Sequence, residues 1–370
     1  MRAVPGMITL LAWSLCGCVE LLVPGSPSLR VERSLSLHDS GVEPRLAGDA
    51  LVYLDGMKRA VRREGTAERR VSLAGHPCLV PDSRPSLFFV DPMGMQAIAW
   101  GTSGGITGDF VHVVGVRTTV DCLVDFKAGT AHVLSDALPQ VSRSMLTGSF
   151  VLGAGRVYHW TADSPIYVTE LSTGHSAALT ERSDSLYCQV SEHASVALVA
   201  CIYRQDARRG SVLFQRMDVS SVPPRSLDSF TLAVDLPLQI HPPIIAPDGS
   251  RLLYFGETYD TGEYVPLDAA RENVVVAVDL HRRSLSFVHA LRLRGFIHSV
   301  ATTSDGSLTL IGEFLDVWGQ RSQIRILARN GEDRGTWPIE GQLKAILPLR
   351  QGHLCWIVVD ETAYLIRLPA

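Results

Sequence analysis

The sequence has no internal run of apolar residues close to the length of about 18 that a membrane-crossing helix requires. It also has no Cys-x-x-Cys pair and no Cys/His spacing typical of zinc sites, so we predict neither a metal site nor a cofactor. The formal net charge of −4 gives no electrostatic signature of nucleic-acid binding. No stretch shows a convincing amphipathic-helix pattern, which favours an all-β fold.

The composition is typical of a folded protein, because 46% of the 370 residues are hydrophobic and 19% are charged. The clearest local pattern lies at residues 239–255, where an apolar strand leads into Pro247-Asp248-Gly249 and a second apolar strand follows. Glycine takes a positive φ at little cost and aspartate hydrogen-bonds its own backbone, so this segment predicts a β-hairpin. The same pattern returns at 297–311, with Ser304-Asp305-Gly306 at the turn.

Hairpin turns of this kind can be placed at intervals of roughly 40–60 residues, close to the spacing of four-stranded propeller blades. The turns centre near Gly48, Gly94, Gly155, Ala194, Gly249, Gly306 and Gly352. Residues 30–370 are therefore predicted to form a single all-β domain, a β-propeller with seven four-stranded blades. Six or eight blades are the alternatives.

The last predicted blade has room for only three strands before the chain stops, the second and third of them at 354–359 and 363–368. The N-terminal strand at 31–37 alternates apolar and polar residues and belongs to no other hairpin. We predict that this strand completes the last blade, which leaves no open edge between the first and last blades.

The segment Ile-Ile-Ala-Pro-Asp-Gly-Ser-Arg-Leu-Leu-Tyr-Phe at 244–255 resembles the repeat of TolB-like, WD-repeat-like β-propellers. In that family an apolar strand, Ser/Ala-Pro-Asp-Gly and a second apolar strand recur in each blade. The turn at Asp305 resembles the repeat less closely, and the other turns are degenerate. The resemblance implies the fold but gives little information about function.

The N-terminus has the pattern of an export signal, with Arg2 before a short apolar core at 8–15. The following Leu15-Cys16-Gly17-Cys18 resembles the lipobox of bacterial lipoproteins. This resemblance implies a signal peptide at 1–17, a lipid attached to Cys18, and a tether at 18–29. The protein would then face the periplasm, and Val19 after the cysteine favours the outer membrane. The alternative is an ordinary cleaved signal.

Cys188 and Cys201 lie on the two arms of one predicted hairpin, so they can pair as a disulfide in an oxidising periplasm. The predicted turn places them slightly out of register. Two buried free thiols are therefore the alternative.

His241 and His298 each precede a turn glycine by eight residues, and Lys344 occupies the equivalent position in the last blade. Because first strands line the channel of a propeller, these side chains are candidates for binding an anionic ligand or a peptide carboxylate at the channel mouth. The alternative is that each histidine packs against its own blade and bonds to a neighbouring turn. No third histidine shares this position, so we predict no metal there.

These patterns predict a non-catalytic scaffold of the cell envelope that binds a protein or peptide and is anchored through Cys18. The alternative is a periplasmic propeller enzyme, a hydrolase or lyase with its site at the channel mouth. No catalytic residues are assigned, because no set of convergent titratable groups is evident. The glycine-rich segment 101–105 is interpreted as an inter-strand loop.

Overall fold

The protein is described by a computed structural model, and it is an all-β propeller, as predicted. The structure describes residues 29–37, 44–55, 57–76, 84–90, 96–106, 113–117, 122–137, 149–161, 164–180, 184–206, 208–246, 248–258, 271–293, 295–316, 321–350 and 353–369. The predicted signal peptide, Cys18 and nearly all of the tether lie outside the described residues. None of the described helical residues forms a segment long and apolar enough to cross a membrane.

The described strands form seven antiparallel sheets, which we number I to VII in chain order. Sheet I contains β2 (Arg45–Ala47), β3 (Ala50–Leu54), β4 (Arg59–Glu64) and β5 (Ala67–Ser72). Sheet II contains β6 (Arg84–Val90), β7 (Gln96–Ile106), β8 (Val113–Arg117), β9 (Cys122–Asp125) and β10 (Thr130–Val133), followed by the single-turn helix α1 (Leu134–Ala137). Sheet III contains β11 (Ser149–Leu152), β12 (Arg156–Trp160), β13 (Tyr167–Glu170) and β14 (Ser176–Ala178).

The longest strands belong to the second half of the chain. Sheet IV contains β15 (Tyr187–His193), β16 (Val196–Arg204), β17 (Arg209–Asp218) and β18 (Arg225–Asp235). Sheet V contains β19 (Gln239–Ile240), β20 (Ile244–Ile245), β21 (Arg251–Glu257), β22 (Arg271–Asp279) and β23 (Ser284–Leu293). Sheet VI contains β24 (Ile297–Thr302), β25 (Leu308–Phe314), β26 (Arg321–Ala328) and β27 (Asp333–Glu340). Sheet VII contains β28 (Leu343–Pro348), β29 (Leu354–Val359), β30 (Thr362–Arg367) and, from the other end of the chain, β1 (Arg30–Ser36).

The strands on either side of each predicted hairpin turn pair in the structure. The two turns that carry the repeat have nearly the same geometry, with φ of 70° at Gly249 and 64° at Gly306. Oδ1 of Asp248 accepts a hydrogen bond from the Ser250 amide at 2.9 Å, and Oδ1 of Asp305 accepts one from the Ser307 amide at 3.0 Å. Both turns therefore form as predicted, with an aspartate that accepts a backbone hydrogen bond and a glycine that adopts a positive φ.

Second strands lie at the centre of the packing. Every residue of β21 and of β25 is buried, as expected for strands covered on both faces by neighbouring sheets. Among the described side chains, six apolar clusters each join two neighbouring sheets. They lie at the junctions I–II, III–IV, IV–V, V–VI, VI–VII and VII–I. Between sheets II and III, Cα atoms of β6 and β11 approach within 8 Å.

The N-terminal strand takes the place predicted for it. β1 pairs antiparallel with β30, from Arg30 opposite Arg367 to Ser36 opposite Thr362. The Leu37 amide then donates to the carbonyl of Glu361 at 2.7 Å. The first described strand is thus the outermost strand of the last sheet, which ties the two ends of the chain together.

The interpretation of residues 101–105 as a loop is wrong. These residues lie within β7, where Gly101 is opposite Pro85 of β6 and residues 102–105 pair with β8, with Gly104 opposite Gly115. Glycines carry no side chain, so they interrupt the alternating pattern by which a strand is recognised in sequence, although their backbones pair normally.

Candidate functional site

The two predicted channel-mouth histidines lie against aromatic rings of their own sheets. The ring of His241 stacks on Phe255 with centroids 4.5 Å apart, and that of His298 stacks on Phe314 with centroids 4.6 Å apart. The repeated position therefore reflects a repeated stack between the first and second strands. Burial lowers the pKa of His241, while the charge of Glu257 acts in the opposite direction.

His298 also contacts the neighbouring sheet. Its Nε2 lies 3.0 Å from the carbonyl oxygen of Lys344, and since a carbonyl only accepts, Nε2 carries the proton. The structure thus brings His298 to the backbone of Lys344, whereas the described hydrogen bond of His241 goes from its amide to the carbonyl of Phe255. These contacts match the alternative in which each histidine packs against its own sheet. Ligand binding by His241, His298 and Lys344 stays a prediction.

Cys188 and Cys201 lie directly opposite each other on β15 and β16 and form a disulfide in the structure. The predicted offset in register is wrong because the hairpin turn has two central residues. Ala194 and Ser195 both adopt a positive φ, of 47° and 66°, as in the tight turns that suit hairpins. Among the described cysteines, Cys122 and Cys355 are buried and form no disulfide, and Sγ of Cys122 lies 3.2 Å from Nδ1 of His76.

A cleft of about 1060 Å³ opens where turns of sheets V, VI and VII meet. It lies at the end of the sheets that carries the turns between first and second strands and between third and fourth strands. We call it the turn-face cleft. Its polar lining consists of Asp279, His281, Arg282, Ser284, Ser286, Asp305, Ser307, Arg329, Asn330, Arg334 and His353. The candidate histidines, near the starts of first strands, lie at the opposite end.

The two acidic residues of the turn-face cleft are engaged by their own turns. Oδ1 of Asp279 accepts the amides of His281 and Arg282 at 3.0 and 2.9 Å. Oδ1 of Asp305 accepts the hydroxyl of Thr303 and the amide and hydroxyl of Ser307. Although burial acts to raise it, the pKa of Asp305 is held below its usual range by these hydrogen bonds. Both carboxylates therefore act as turn-forming groups.

The arginines of the turn-face cleft have weaker partners than its two aspartates. Arg329 approaches Asp279 only to 3.9 Å, and Arg334 pairs with Glu332 at 3.5 Å with both side chains more than half exposed. The side chain of Arg282 has no ion-pair partner among the described residues. Pairs at these distances with an exposed guanidinium contribute little, so the guanidinium groups remain available to a ligand.

Hydrogen bonds between sheets hold the cleft walls in place. The buried Arg251 of sheet V donates through Nη2 to Ser286 at 3.0 Å and to the backbone carbonyl of Arg329 in sheet VI. Ser304 of sheet VI donates to the carbonyl of Arg350 in sheet VII at 2.8 Å. Burial, followed by the nearby charge of Arg329, lowers the pKa of Arg251. The cleft is thus a preformed, cationic surface.

In the sequence, the only signal for this cleft is the basic residues in and directly after two third-to-fourth-strand turns, at 281–283 and 329–334. Those turns are adjacent only because sheets V and VI are neighbours in the ring. Within the described part of the chain, no group of three or more His, Cys, Asp or Glu side chains is placed to hold a metal ion.

Comparison with models of known protein families gives no match, and comparison with curated protein sequences also gives none. Solved structures do match. A chain from a mitotic checkpoint complex has a TM-score of 0.53 at 10% identity, with 98% of this chain and 100% of that chain covered. The structure titled YCF48 bound to D1 peptide has a TM-score of 0.49 at 10% identity and covers 91% and 97%.

A third similar structure is hydrazine synthase of Kuenenia stuttgartiensis, with a TM-score of 0.49 at 11% identity over 94% and 99% of the two chains. The likeness to the checkpoint-complex chain supports a WD-repeat-like β-propeller fold. At 10% identity it supports the fold alone.

Proposed function

We propose that this protein is a non-catalytic scaffold of the bacterial cell envelope that binds a protein or peptide partner through the turn end of its propeller. The observation that carries the proposal is the turn-face cleft. Three neighbouring sheets contribute to it, their turns are fixed by hydrogen bonds, and its arginines have only weak partners. Preorganised surfaces of this kind favour binding, because little ordering is needed when the partner arrives.

The seven sheets are, in this proposal, the seven blades of one closed ring of the TolB-like type. The support is the set of apolar clusters at six junctions, the approach of β6 to β11 at the remaining one, and the matched turns at Gly249 and Gly306. The TolB-like repeat itself rests on the segment at 244–255.

The envelope location rests on the sequence Leu15-Cys16-Gly17-Cys18 and on the paired Cys188 and Cys201. Structural disulfides persist in oxidising compartments such as the periplasm. In this proposal Cys18 carries the lipid, residues up to 29 form the tether, and the propeller faces the periplasm from the outer membrane.

Replacing Cys18 by serine tests the anchor. The full chain is expected to move from the membrane fraction to the soluble fraction, because without a thiol no acyl chain can be attached and membrane affinity comes from the buried CH₂ groups. The measurement is fractionation of cells with immunodetection, with Cys16→Ser as the matched control that stays in the membrane. Unchanged membrane association of the Cys18→Ser protein would rule out the lipid anchor.

Site-specific photo-crosslinking in the native envelope tests the scaffold. A benzoylphenylalanine at Asn330, in the turn-face cleft, is expected to capture a discrete partner protein identified by mass spectrometry. The same group at Gln342, which is exposed at the opposite end of the sheets, should not capture it. Identical products from both positions, or none from either, would contradict binding through the turn end.

A further inference from the structure

We infer that the turn-face cleft recognises an extended acidic peptide segment, whose carboxylates pair with arginines contributed by sheets V and VI. This inference rests on the proposed function and specifies the chemistry of the partner. It follows from three properties of the cleft, namely its charge, the spacing of its charges, and its size.

The charge of the cleft selects an anionic ligand. Three arginines line it, and the carboxylates of Asp279 and Asp305 already accept hydrogen bonds from their own turns. His281 and His353 add two ring donors to the lining. A cationic ligand would meet three guanidinium groups, and the two carboxylates of the lining already accept hydrogen bonds through Oδ1. Guanidinium groups match carboxylates in geometry and form paired, charge-assisted hydrogen bonds with them.

The distribution of the charges selects an extended ligand. Arg282 belongs to the third-to-fourth-strand turn of sheet V, Arg329 to that of sheet VI, Arg334 to β27 just after that turn, and His353 to sheet VII. Packed sheets lie about 10 Å apart, so these groups are spread over a distance that a single small anion does not span. A peptide with several separated carboxylates can contact them simultaneously.

The size of the cleft agrees with this ligand. A volume of about 1060 Å³ is just above the roughly 300–1,000 Å³ typical of sites for drug-sized molecules. Two further clefts have volumes of about 390 and 430 Å³. Only the turn-face cleft among these combines this size with side chains from three sheets, so it is the one suited to a segment of several residues.

Peptide binding to the purified full chain tests the inference. The probe is a fluorescent twelve-residue peptide of alternating glutamate and serine, and binding is followed by fluorescence anisotropy. Neutralising the three cleft arginines together, in the variant Arg282→Gln/Arg329→Gln/Arg334→Gln, is expected to weaken binding at least about tenfold, because charge-assisted hydrogen bonds are lost. A peptide with lysine in place of glutamate should not bind.

A matched variant separates local recognition from net charge. Arg209→Gln/Arg225→Gln/Arg321→Gln removes the same charge from exposed arginines outside the cleft, and its affinity is expected to change less than about twofold. Thermal unfolding of both variants shows whether each is folded. If the cleft variant fails to fold, Arg282→Gln/Arg334→Gln serves instead, with a smaller loss expected.

Several outcomes would overturn the inference. They are no binding of the glutamate peptide by the wild-type chain, equal weakening in both triple variants, and complete competition by inorganic phosphate at low millimolar concentration. Arginine-dependent binding to phosphatidylglycerol vesicles without peptide binding would also overturn it. If peptide binding fails while crosslinking from Asn330 persists, only the acidic chemistry of the partner is wrong. Loss of the crosslink as well would contradict the proposed function itself.

Discussion

Replacing Glu313 by alanine is expected to lower the free energy of unfolding by about 3–5 kcal/mol. The Glu313 side chain is 0% exposed, and its Oε1 accepts a hydrogen bond from Nε of Arg325 at 2.6 Å. Its Oε2 accepts one from the side-chain amide of Gln323. Without the carboxylate, the guanidinium of Arg325, 19% exposed, keeps only Asp333 as an acidic partner. A largely buried charge that loses its main partner strongly destabilises a fold.

The measurement for Glu313→Ala is urea unfolding at neutral pH, with Arg321→Ala on the same sheet as the control. The Arg321 side chain is 75% exposed and approaches Asp316 only to 3.6 Å, so this change should alter stability by about 0–1 kcal/mol. Replacing both Glu313 and Arg325 by leucine should recover part of the loss, because the largely buried guanidinium that has lost its main partner is then removed as well. Equal effects of the two alanine variants would show that the buried pair has no special role.

The sequence was sufficient for the hairpins, which depend on local chemistry, and for the pairing of the two ends of the chain, which followed by elimination. Asp248-Gly249 and Asp305-Gly306 specify turns whatever surrounds them. The short apolar second strands, bounded by turn residues, indicated strands covered on both faces. The strand at 31–37 had no other partner, which left the incomplete last sheet as its place.

The candidate site was not predictable to the same degree. A shared position before the turn suggested that His241, His298 and Lys344 form a cluster, but the shared feature is a stack on an aromatic ring of the second strand. A residue type that recurs at the same position of each repeat often serves the packing of that repeat. Residues that bind a ligand need not recur with the spacing of the repeats. The turn-face cleft combines residues from three sheets, so its existence depends on how those sheets pack in the ring.

Trp356→Ala is expected to destabilise the protein by about 3–5 kcal/mol, the second large effect. Trp356 is nearly buried in the cluster between sheets VII and I, with Leu51 and Tyr53 of sheet I and Val358 of its own strand. In a closed ring this face of sheet VII is interior. In an open row of sheets it would be an end face, and removing the indole would have little effect. Met57→Ala, at an exposed side chain, is the control and should change stability by less than about 0.5 kcal/mol.

Closure of the ring is tested most directly by a double-mutant cycle across this junction. Urea unfolding of Trp356→Ala, Tyr53→Ala and the double variant gives the coupling energy between sheets VII and I. Closure predicts a coupling of about 0.5–3 kcal/mol, because both side chains belong to one buried cluster. Additive effects within about 0.3 kcal/mol, together with a small effect of Trp356→Ala alone, would show that the first and last sheets do not pack together.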